Sequence, residues 1–396
     1  MAEHADVIGW DVGGAHVKAC LMRRGEVVDV MLWACPLWQG IEHLAAVLRA
    51  AHARWPGMAA AQHAVTMTGE MADLFATRED GVRRIAAEMH RGVLTAPGSP
   101  PARAAGSVHF FAGDAGWCSA AEAASQWPAV ASANWLATAR HAALGLAGHD
   151  ANGGAEGVVI DIGSTTTDLI AFRDGRPLTR SRSDAERLAG GELAYHGVVR
   201  TPLCAIAHRI AWRGTPHNVM NEFFATAADV YRLTGELDPA HDLHPAADGA
   251  AKDLPATRQR LARMIGLDAR DAPAADWLAF ARAWRGAQIA LLGAELRRVI
   301  AEHGLGPAAV IVSAGCGAFL VADVLAHAAA PDAAPHRLVG YGDGVARIAP
   351  RAADRAADRT VALAADRAAD RAALQRWAQV CAPCVAVAAL CDMELR

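Results

Sequence analysis

Two short segments hold the residue types best suited to chemistry: Asp11-Val12-Gly13-Gly14-Ala15-His16-Val17-Lys18 and Asp161-Ile162-Gly163-Ser164-Thr165-Thr166-Thr167-Asp168. Each follows an apolar run, Val7-Ile8-Gly9-Trp10 or Val158-Val159-Ile160, and each precedes further β-formers. The pattern is strand, acidic residue, small-residue turn and second strand, and it occurs twice. Gly13 and Gly14 can take φ > 0 and remove side-chain bulk, so successive backbone N–H groups can converge on an anion. Around Gly163, the hydroxyls of Ser164, Thr165 and Thr166 add donors, and Asp11 and Asp161 have the chemistry to hold Mg²⁺ through its waters. Lys18, on the strand leaving the first loop, can bring an ammonium to a phosphate, or simply sit on a strand surface. Asp168, closing the second loop, can fix its hydroxyls or a cation-bound water, or accept turn N–H groups. Two opposed loops of this kind, one per lobe, predict a grip on one polyphosphate.

Other residues fall where ligands are expected. Thr68-Gly69-Glu70 follows the short strand Ala64–Met67, and the carboxyl end of a parallel strand is a common ligand position. Glu70 is therefore the candidate catalytic base. Its competing reading is the acidic first turn of a helix capped by Thr68. Asn134-Trp135 ends a β-rich stretch and pairs an amide with an aromatic, which suits either ring recognition or core packing. Arg180-Ser181-Arg182-Ser183 reads as an anion-steering loop or a solvated basic one. No Ser-His-Asp or Cys-His spacing, Walker-A lysine motif or dinucleotide fingerprint is present. Cys381-Ala382-Pro383-Cys384 has redox or zinc spacing without a second pair, and reads as small residues in a terminal helix dispensable for chemistry.

The elements that must position these residues follow from hydrophobic periodicity. Strands are expected at Val7–Trp10, Val17–Met22 and Val27–Trp33, then a helix over 40–54, a strand at Ala64–Met67 and a helix over 80–92. A strand at Val108–Phe111 leads to a turn at Gly113–Gly116 and a helix from Ser119. The segment Ala131–Trp135 leads to a linking helix, and Asn152-Gly153-Gly154 reads as the linker. Strands then repeat at Gly157–Asp161 and Thr167–Arg173, an internal echo of the opening. The resulting domains are a first lobe over 1–150, a second over 151–350 with a helical insertion at about 184–300, and a helical tail over 351–396. Within the tail, the Ala-Ala-Asp-Arg repeats of 351–373 read as a solvated helix with i,i+4 pairs.

At 396 residues the chain exceeds the size at which a single core stops growing, so two lobes are the default. Its hydrophobic share of 53%, charged share of 20% and net charge of -4 suit a compact protein, and exclude any electrostatic case for nucleic acid or an anionic membrane. No apolar run spans a bilayer and the opening Met-Ala-Glu-His-Ala-Asp is not a signal peptide, so a cytoplasmic enzyme with small-molecule partners is expected. Eight cysteines without a secretion signal argue for reduced thiols.

The two loops resemble the phosphate-1 and phosphate-2 motifs of the actin, sugar kinase and heat-shock-70 superfamily. Val310-Ile311-Val312-Ser313-Ala314-Gly315-Cys316-Gly317-Ala318 is similar to its adenosine motif, with Gly315 and Gly317 flanking Cys316 where an adjacent glycine pair is usual. The resemblance implies a two-lobed actin-like (ribonuclease H-like) α/β fold, and the altered glycines weigh against ATP as the ligand. Gly9–Ala19, Thr68–Phe75, Ala131–Trp135 and the Asp161–Asp168 loop together resemble the hydantoinase/oxoprolinase-like proteins of the tetrahydromethanopterin-linked one-carbon pathway. That family resemblance implies a methylofuran-type synthesis step in a methylotroph. A tyramine- or tyrosine-type phenol oxygen would be joined to an aminomethylfuran carrying a diphosphate, and diphosphate released. An ATP-dependent small-molecule kinase or ATP-driven hydrolase, and a nucleotide-sensing protein without turnover, remain the alternatives. Neither the phenol partner nor the oligomeric state is encoded in these motifs.

Overall fold

The structure, a computed structural model, describes residues 5–95, 106–147, 155–329, 336–350 and 361–395. The expected linker Asn152–Gly154 and the first repeats of the tail lie outside the described residues. The chain forms two compact units: Met1–Glu156 with Phe172–Glu186 and Val339–Arg396, and Gly157–Ala171 with Arg187–Leu338.

The first unit is organised by a six-stranded sheet. Its strands are β1 (Val7–Val12), β2 (His16–Arg23), β3 (Glu26–Ala34), β4 (Gln62–Met67), β5 (Ser107–Phe111) and β6 (Trp117–Cys118), in the order β3-β2-β1-β4-β5-β6. β1 pairs antiparallel with β2 and parallel with β4, so it is buried along its whole length. One face of β1, carrying Ile8, Trp10 and Val12, packs into the core with Leu44, Val47 and Leu48 of the helix Glu42–Arg54 and Val82, Ile85 and Met89 of the helix Arg78–Leu94. Trp10 needs a partner for its buried indole N–H. It donates to His63 Nδ1 at 3.0 Å, while His63 Nε2–H donates to the Met58 carbonyl at 2.9 Å. Burial pushes the His63 imidazole down to about 3, which keeps Nδ1 free to accept.

The opposite face, carrying Gly9 and Asp11, is covered by the C-terminal helix Ala382–Glu394, which also packs on β2, β4 and the helix Asn134–Ala147. The far end of this helix is anchored by Glu394, which takes an ion pair from Arg140 at 2.9 Å and a hydrogen bond from Trp117 Nε1 at 2.9 Å. Cys381 and Cys384 are fully buried. Residues 381–392 are therefore part of the first unit's core rather than a peripheral tail. Their composition is apolar all round, so helical periodicity carries no sign of the face that docks.

The second unit repeats the sheet plan. Its strands are β7 (Glu156–Ile162), β8 (Thr167–Arg173), with β9 (Arg176–Pro177) paired to β8, and β10 (Leu193–Ala194). After the two-stranded ribbon β11 (Arg209–Trp212) and β12 (Thr215–Asn218) come β13 (Val310–Ala314) and β14 (Leu338–Gly340), giving the order β10-β8-β7-β13-β14. β13 runs parallel to β7, as β4 does to β1. The stretch expected as a helical insertion does contain the long helix Ala274–Glu302, with Trp277, Phe280 and Trp284 buried, but it also supplies β10 and the β11–β12 ribbon. Trp212 of β11 stacks on Trp277 with ring centroids 4.3 Å apart.

A methyl on Gly9 would lie 2.0 Å from the Cys384 carbonyl oxygen and 2.8 Å from Ala388 Cβ. Gly9→Ala is expected to destabilise the first unit by about 3 kcal/mol, the upper range for overpacking against backbone, as read by urea denaturation.

Candidate active site

In the first unit, β1 and β2 turn through Gly13 and Gly14, and the Gly13 N–H donates to the His16 carbonyl at 2.9 Å. Neither glycine takes a positive φ. Gly13 is needed for space, since a Cβ there would meet the His16 carbonyl at 2.9 Å, and Gly14 opens onto no atom within 4 Å. The expectation of left-handed glycines at these two positions is thus corrected: close approach and openness are what the turn uses. The β1–β2 register sets Lys18 directly opposite Asp11, and Lys18 Nζ lies 3.3 Å from Asp11 Oδ2. Asp11 Oδ1 is buried and accepts no hydrogen bond. Thr66, opposite Asp11 on β4, also has a buried, unpartnered Oγ1.

The next turn lands beside this loop. Thr68 N–H donates to the Val12 carbonyl at 2.9 Å, extending the β1–β4 pairing past the end of β4. A Cβ on Gly69 would lie 3.1 Å from the Val12 carbonyl oxygen and 3.2 Å from the Gly13 carbonyl carbon, so only glycine lets the turn approach so closely. Glu70 follows in the 3-10 turn Gly69–Met71, which Thr68 does not cap with its side chain. The helix-cap reading of this segment is therefore replaced by a tight turn that brings a carboxylate to the strand end. Glu70 is 1% exposed. Its Oε1 accepts the Ser132 hydroxyl at 2.7 Å and faces Arg78 Nη2 at 3.5 Å, whereas Oε2 is buried without a partner. Burial raises the Glu70 pKa above the ordinary glutamate range, against lowering by the Ser132 hydrogen bond and the Arg78 charge; Asp184 adds to the rise.

Ser132 and Arg78 escaped the sequence reading. Ser132 has φ 51°, a left-handed conformation that serine rarely adopts, and Ala131 bridges Met67 at the end of β4. Nothing in the local sequence distinguishes Arg78, the half-buried first residue of its helix, from the chain's other arginines. Asn134 and Trp135 open the helix Asn134–Ala147: the Asn134 side chain accepts the Trp135 N–H at 2.8 Å, and Trp135 is buried. They lie two and three residues beyond Ser132.

In the second unit the same turn recurs. Gly163 N–H donates to the Thr166 carbonyl at 2.8 Å, and Ser164 and Thr165 are half-buried with their hydroxyls 3.4 Å apart. The segment 196–200 braces the loop from outside: Val198 N–H reaches the Gly163 carbonyl at 3.1 Å, and Val199 and Arg200 N–H reach the Ser164 carbonyl at 3.0 and 2.8 Å. Thr167 Oγ1–H donates to the His196 carbonyl at 2.6 Å. A Cβ on Gly197 would fall 2.4 Å from the Ser164–Thr165 peptide. Asp168 pairs with the buried Arg187, so its visible role is to neutralise that guanidinium. Gly315 takes φ 83°, and its would-be Cβ lies 2.4 Å from Asp161 Oδ1; Gly317 N–H donates to the Ile162 carbonyl at 2.8 Å. Both glycines thus press the β13 turn against the end of β7. Among the described residues no group of three or more His, Cys, Asp or Glu side chains is placed to hold a metal directly. Cation binding through water requires fewer protein ligands. No single described helix is long and apolar enough to cross a membrane.

Two sheets with the same strand order, each opening on an acidic strand–turn–strand loop, define an actin-like ATPase fold of the ribonuclease H-like type. The chain belongs to the hydantoinase/oxoprolinase family, which matches residues 62–348. It is 27% identical over 262 residues to (4-{4-[2-(gamma-L-glutamylamino)ethyl]phenoxymethyl}furan-2-yl)methanamine synthase of Methanocaldococcus jannaschii, covering 66% of this chain and 72% of that protein. It is 29% identical over 168 residues to the protein of the same name from Methanococcus vannielii, covering 42% of this chain and 74% of that one. Similar solved structures include a ROK family glucokinase from Streptomyces griseus in complex with glucose and AMPPNP, with TM-score 0.40, 16% identity, and coverage of 85% of this chain and 94% of that one. Nucleotide-free acetone carboxylase aligns with TM-score 0.45 and 14% identity over 80% of this chain and 66% of that one.

Because burial raises the folded-state pKa of Glu70, the folded protein holds this proton more tightly than the unfolded chain. That stabilisation is fully present below the ordinary glutamate pKa and is lost as pH rises through the raised value. Glu70→Gln should therefore be more stable than the parent at pH 8, with the advantage shrinking toward pH 4; denaturant midpoints at both pH values check the sign.

Proposed function

We propose that this enzyme joins the oxygen of a tyramine- or tyrosine-type phenol to the methylene carbon of an aminomethylfuran diphosphate and releases diphosphate, as a step in making a methanofuran-type one-carbon carrier. The observation that carries the reading is Glu70: a buried carboxylate with one unpartnered oxygen, tied by the Thr68–Val12 hydrogen bond to the loop bearing Asp11 and Gly13. Ether formation at a phosphorylated carbon needs a proton acceptor close to anion-binding groups. The names of the two archaeal relatives, both synthases of a phenoxymethylfuran, point to the same bond.

The chemistry asks little covalent work of the protein. A furfuryl carbon sheds diphosphate readily because the ring stabilises developing positive charge. The phenolic proton passes to Glu70, the phenol oxygen bonds the methylene carbon, and the carbon–oxygen bond to diphosphate breaks with its electron pair leaving on the diphosphate. In the first unit, backbone N–H groups around Gly13 and Gly14 and the Lys18 ammonium would bind the departing anion; in the second unit, the loop at Gly163 offers donors of the same kind in the hydroxyls of Ser164, Thr165 and Thr166. The unpartnered Asp11 Oδ1 fits a cation-bound water, and Asp161 is the equivalent acid of the second loop. When bound there, Mg²⁺ supplies charge neutralisation of the diphosphate. In this reading Asn134 and Trp135 would contact the aromatic ring, and exclusion of water would protect the reactive carbon from hydrolysis.

The kinase alternative uses the same loops. Against it, the Cβ sides of Gly315 and Gly317 are filled by Asp161, Ile162 and Val198, so these glycines serve close packing with β7. Incubation with aminomethylfuran diphosphate and each of tyramine, glutamyltyramine and tyrosine should yield an ether by mass spectrometry, with one diphosphate per ether. ATP consumption with a phosphorylated product and no ether would overturn the reading.

Asp161→Asn is expected to lower kcat by roughly a hundredfold, the loss of one preorganised electrostatic contact, while leaving the unfolding midpoint close to the parent's. Steady-state kinetics at saturating Mg²⁺ alongside thermal unfolding checks this; unchanged turnover would make Asp161 structural.

A further inference from the structure

Glu70 is held asymmetrically. The two side-chain donors that reach it, the Ser132 hydroxyl at 2.7 Å and Arg78 Nη2 at 3.5 Å, converge on Oε1, and the same Nη2 lies 3.4 Å from Ser132 Oγ; the backbone N–H of Glu70 itself also favours the ionised carboxylate. Arg78 is itself fixed over the Trp127 ring, 5.8 Å from its centroid. The backbone of Glu70 is clamped from behind, because a Cβ on Gly81 would lie 2.5 Å from the Glu70 carbonyl oxygen and 2.8 Å from its Cβ. Rotation of the carboxylate would break the Ser132 hydrogen bond in a dry site, so the two oxygens are not interchangeable. Ser132 keeps its place although its φ of 51° is unfavourable for any residue with a side chain. The simplest physical reason for tolerating that conformation is the hydroxyl it delivers.

We propose that Ser132 and Arg78 are positioning residues that bind Oε1 of Glu70 and so leave Oε2 as the single atom that takes the phenolic proton. This rests on the phenol-transfer reading above and names the residues that orient its base. In the step, the phenol O–H bond breaks and the proton bonds to Oε2, while the freed oxygen pair forms the new carbon–oxygen bond as diphosphate departs with the old one. Afterwards the proton leaves Oε2 for water, and Ser132 and Arg78 keep the carboxylate in place for the next turnover. The charged groups acting on Glu70 are Arg78, from the helix Arg78–Leu94, and Asp184. Arg78 and the Ser132 hydroxyl favour the ionised carboxylate, and Asp184 opposes it, so losing either donor must make the base harder to ionise.

The test compares Ser132→Ala, Ser132→Gly, Arg78→Gln and Arg78→Lys with the parent across pH 5 to 9. Glycine accepts the left-handed backbone without strain, so Ser132→Gly removes the hydroxyl even if the alanine variant folds poorly. Both serine variants and Arg78→Gln should move the acidic limb of kcat upward by about one pH unit. Activity should fall roughly tenfold on the acid side and recover in alkali, with KM little changed. Arg78→Lys should restore part of the shift. An activity-independent readout is the carboxyl stretching band that Glu70→Gln removes from the infrared spectrum; its titration should shift upward in the same variants. If the parent forms ether but the limb and the band stay put in Ser132→Gly, the positioning role is overturned alone. A limb that stays put while the band moves also overturns it, since Glu70 would then not be the titrating base. If the parent forms no ether, the underlying reading fails instead.

Discussion

The candidate site depends on one constraint: the parallel pairing of β1 with β4, carried one residue further by the Thr68 N–H bond to the Val12 carbonyl. Parallel strands end together, so loops leaving their carboxyl ends emerge side by side. The Asp11 loop and the Glu70 turn are neighbours for this reason alone. Gly69 then removes the side chain that would hold the two turns apart. Everything else in the first unit supports this edge. The Trp10–His63 hydrogen bond locks the inner faces of β1 and β4 together, and the C-terminal helix seals the outer face over Gly9. Burial at the end of β4 is also what raises the pKa of Glu70.

The two loops are the same turn with different charge arrangements. Each has a glycine N–H donating to the carbonyl three residues on, two residues after an aspartate. Lys18 and Asp168 occupy the same place in the two eight-residue segments, yet they solve opposite problems. Lys18 answers the buried Asp11 across the strand pair, while Asp168 answers the buried Arg187. A buried charge must find a partner or change its protonation state, and in each unit the buried ion has its counterion. The second loop carries hydroxyls and is braced by 196–200, where the first carries an ammonium.

Small residues recur wherever backbone must approach backbone. Gly9 under the C-terminal helix, Gly69 against the first loop, Gly81 behind Glu70, Gly197 on the second loop and Gly315 beside Asp161 each leave no room for a methyl. Four of these contacts set the position of an acidic residue or of a loop that flanks one.

The two strand–turn–strand loops, the β-meander, the central strands and the long apolar helix of the second unit were legible in the sequence, because they arise from interactions among neighbours: alternating hydrophobicity, glycine at turns, a helical stripe of tryptophans. The position of Glu70 was legible too, since a carboxylate just after a strand needs only the strand to be recognised. What surrounds it was not. Ser132 reaches Glu70 across 62 residues, and its significance lies in a left-handed backbone that no composition signals. The tertiary structure also decided that Asp168 serves Arg187, that Gly315 and Gly317 press against β7, and that the Ala- and Cys-rich end of the chain is core rather than tail. Each of these is a contact between distant segments, chosen by which buried group lacked a partner or which surface lacked a cover. Local pattern determined the elements; the cost of leaving charges and apolar surface unmatched determined how they meet.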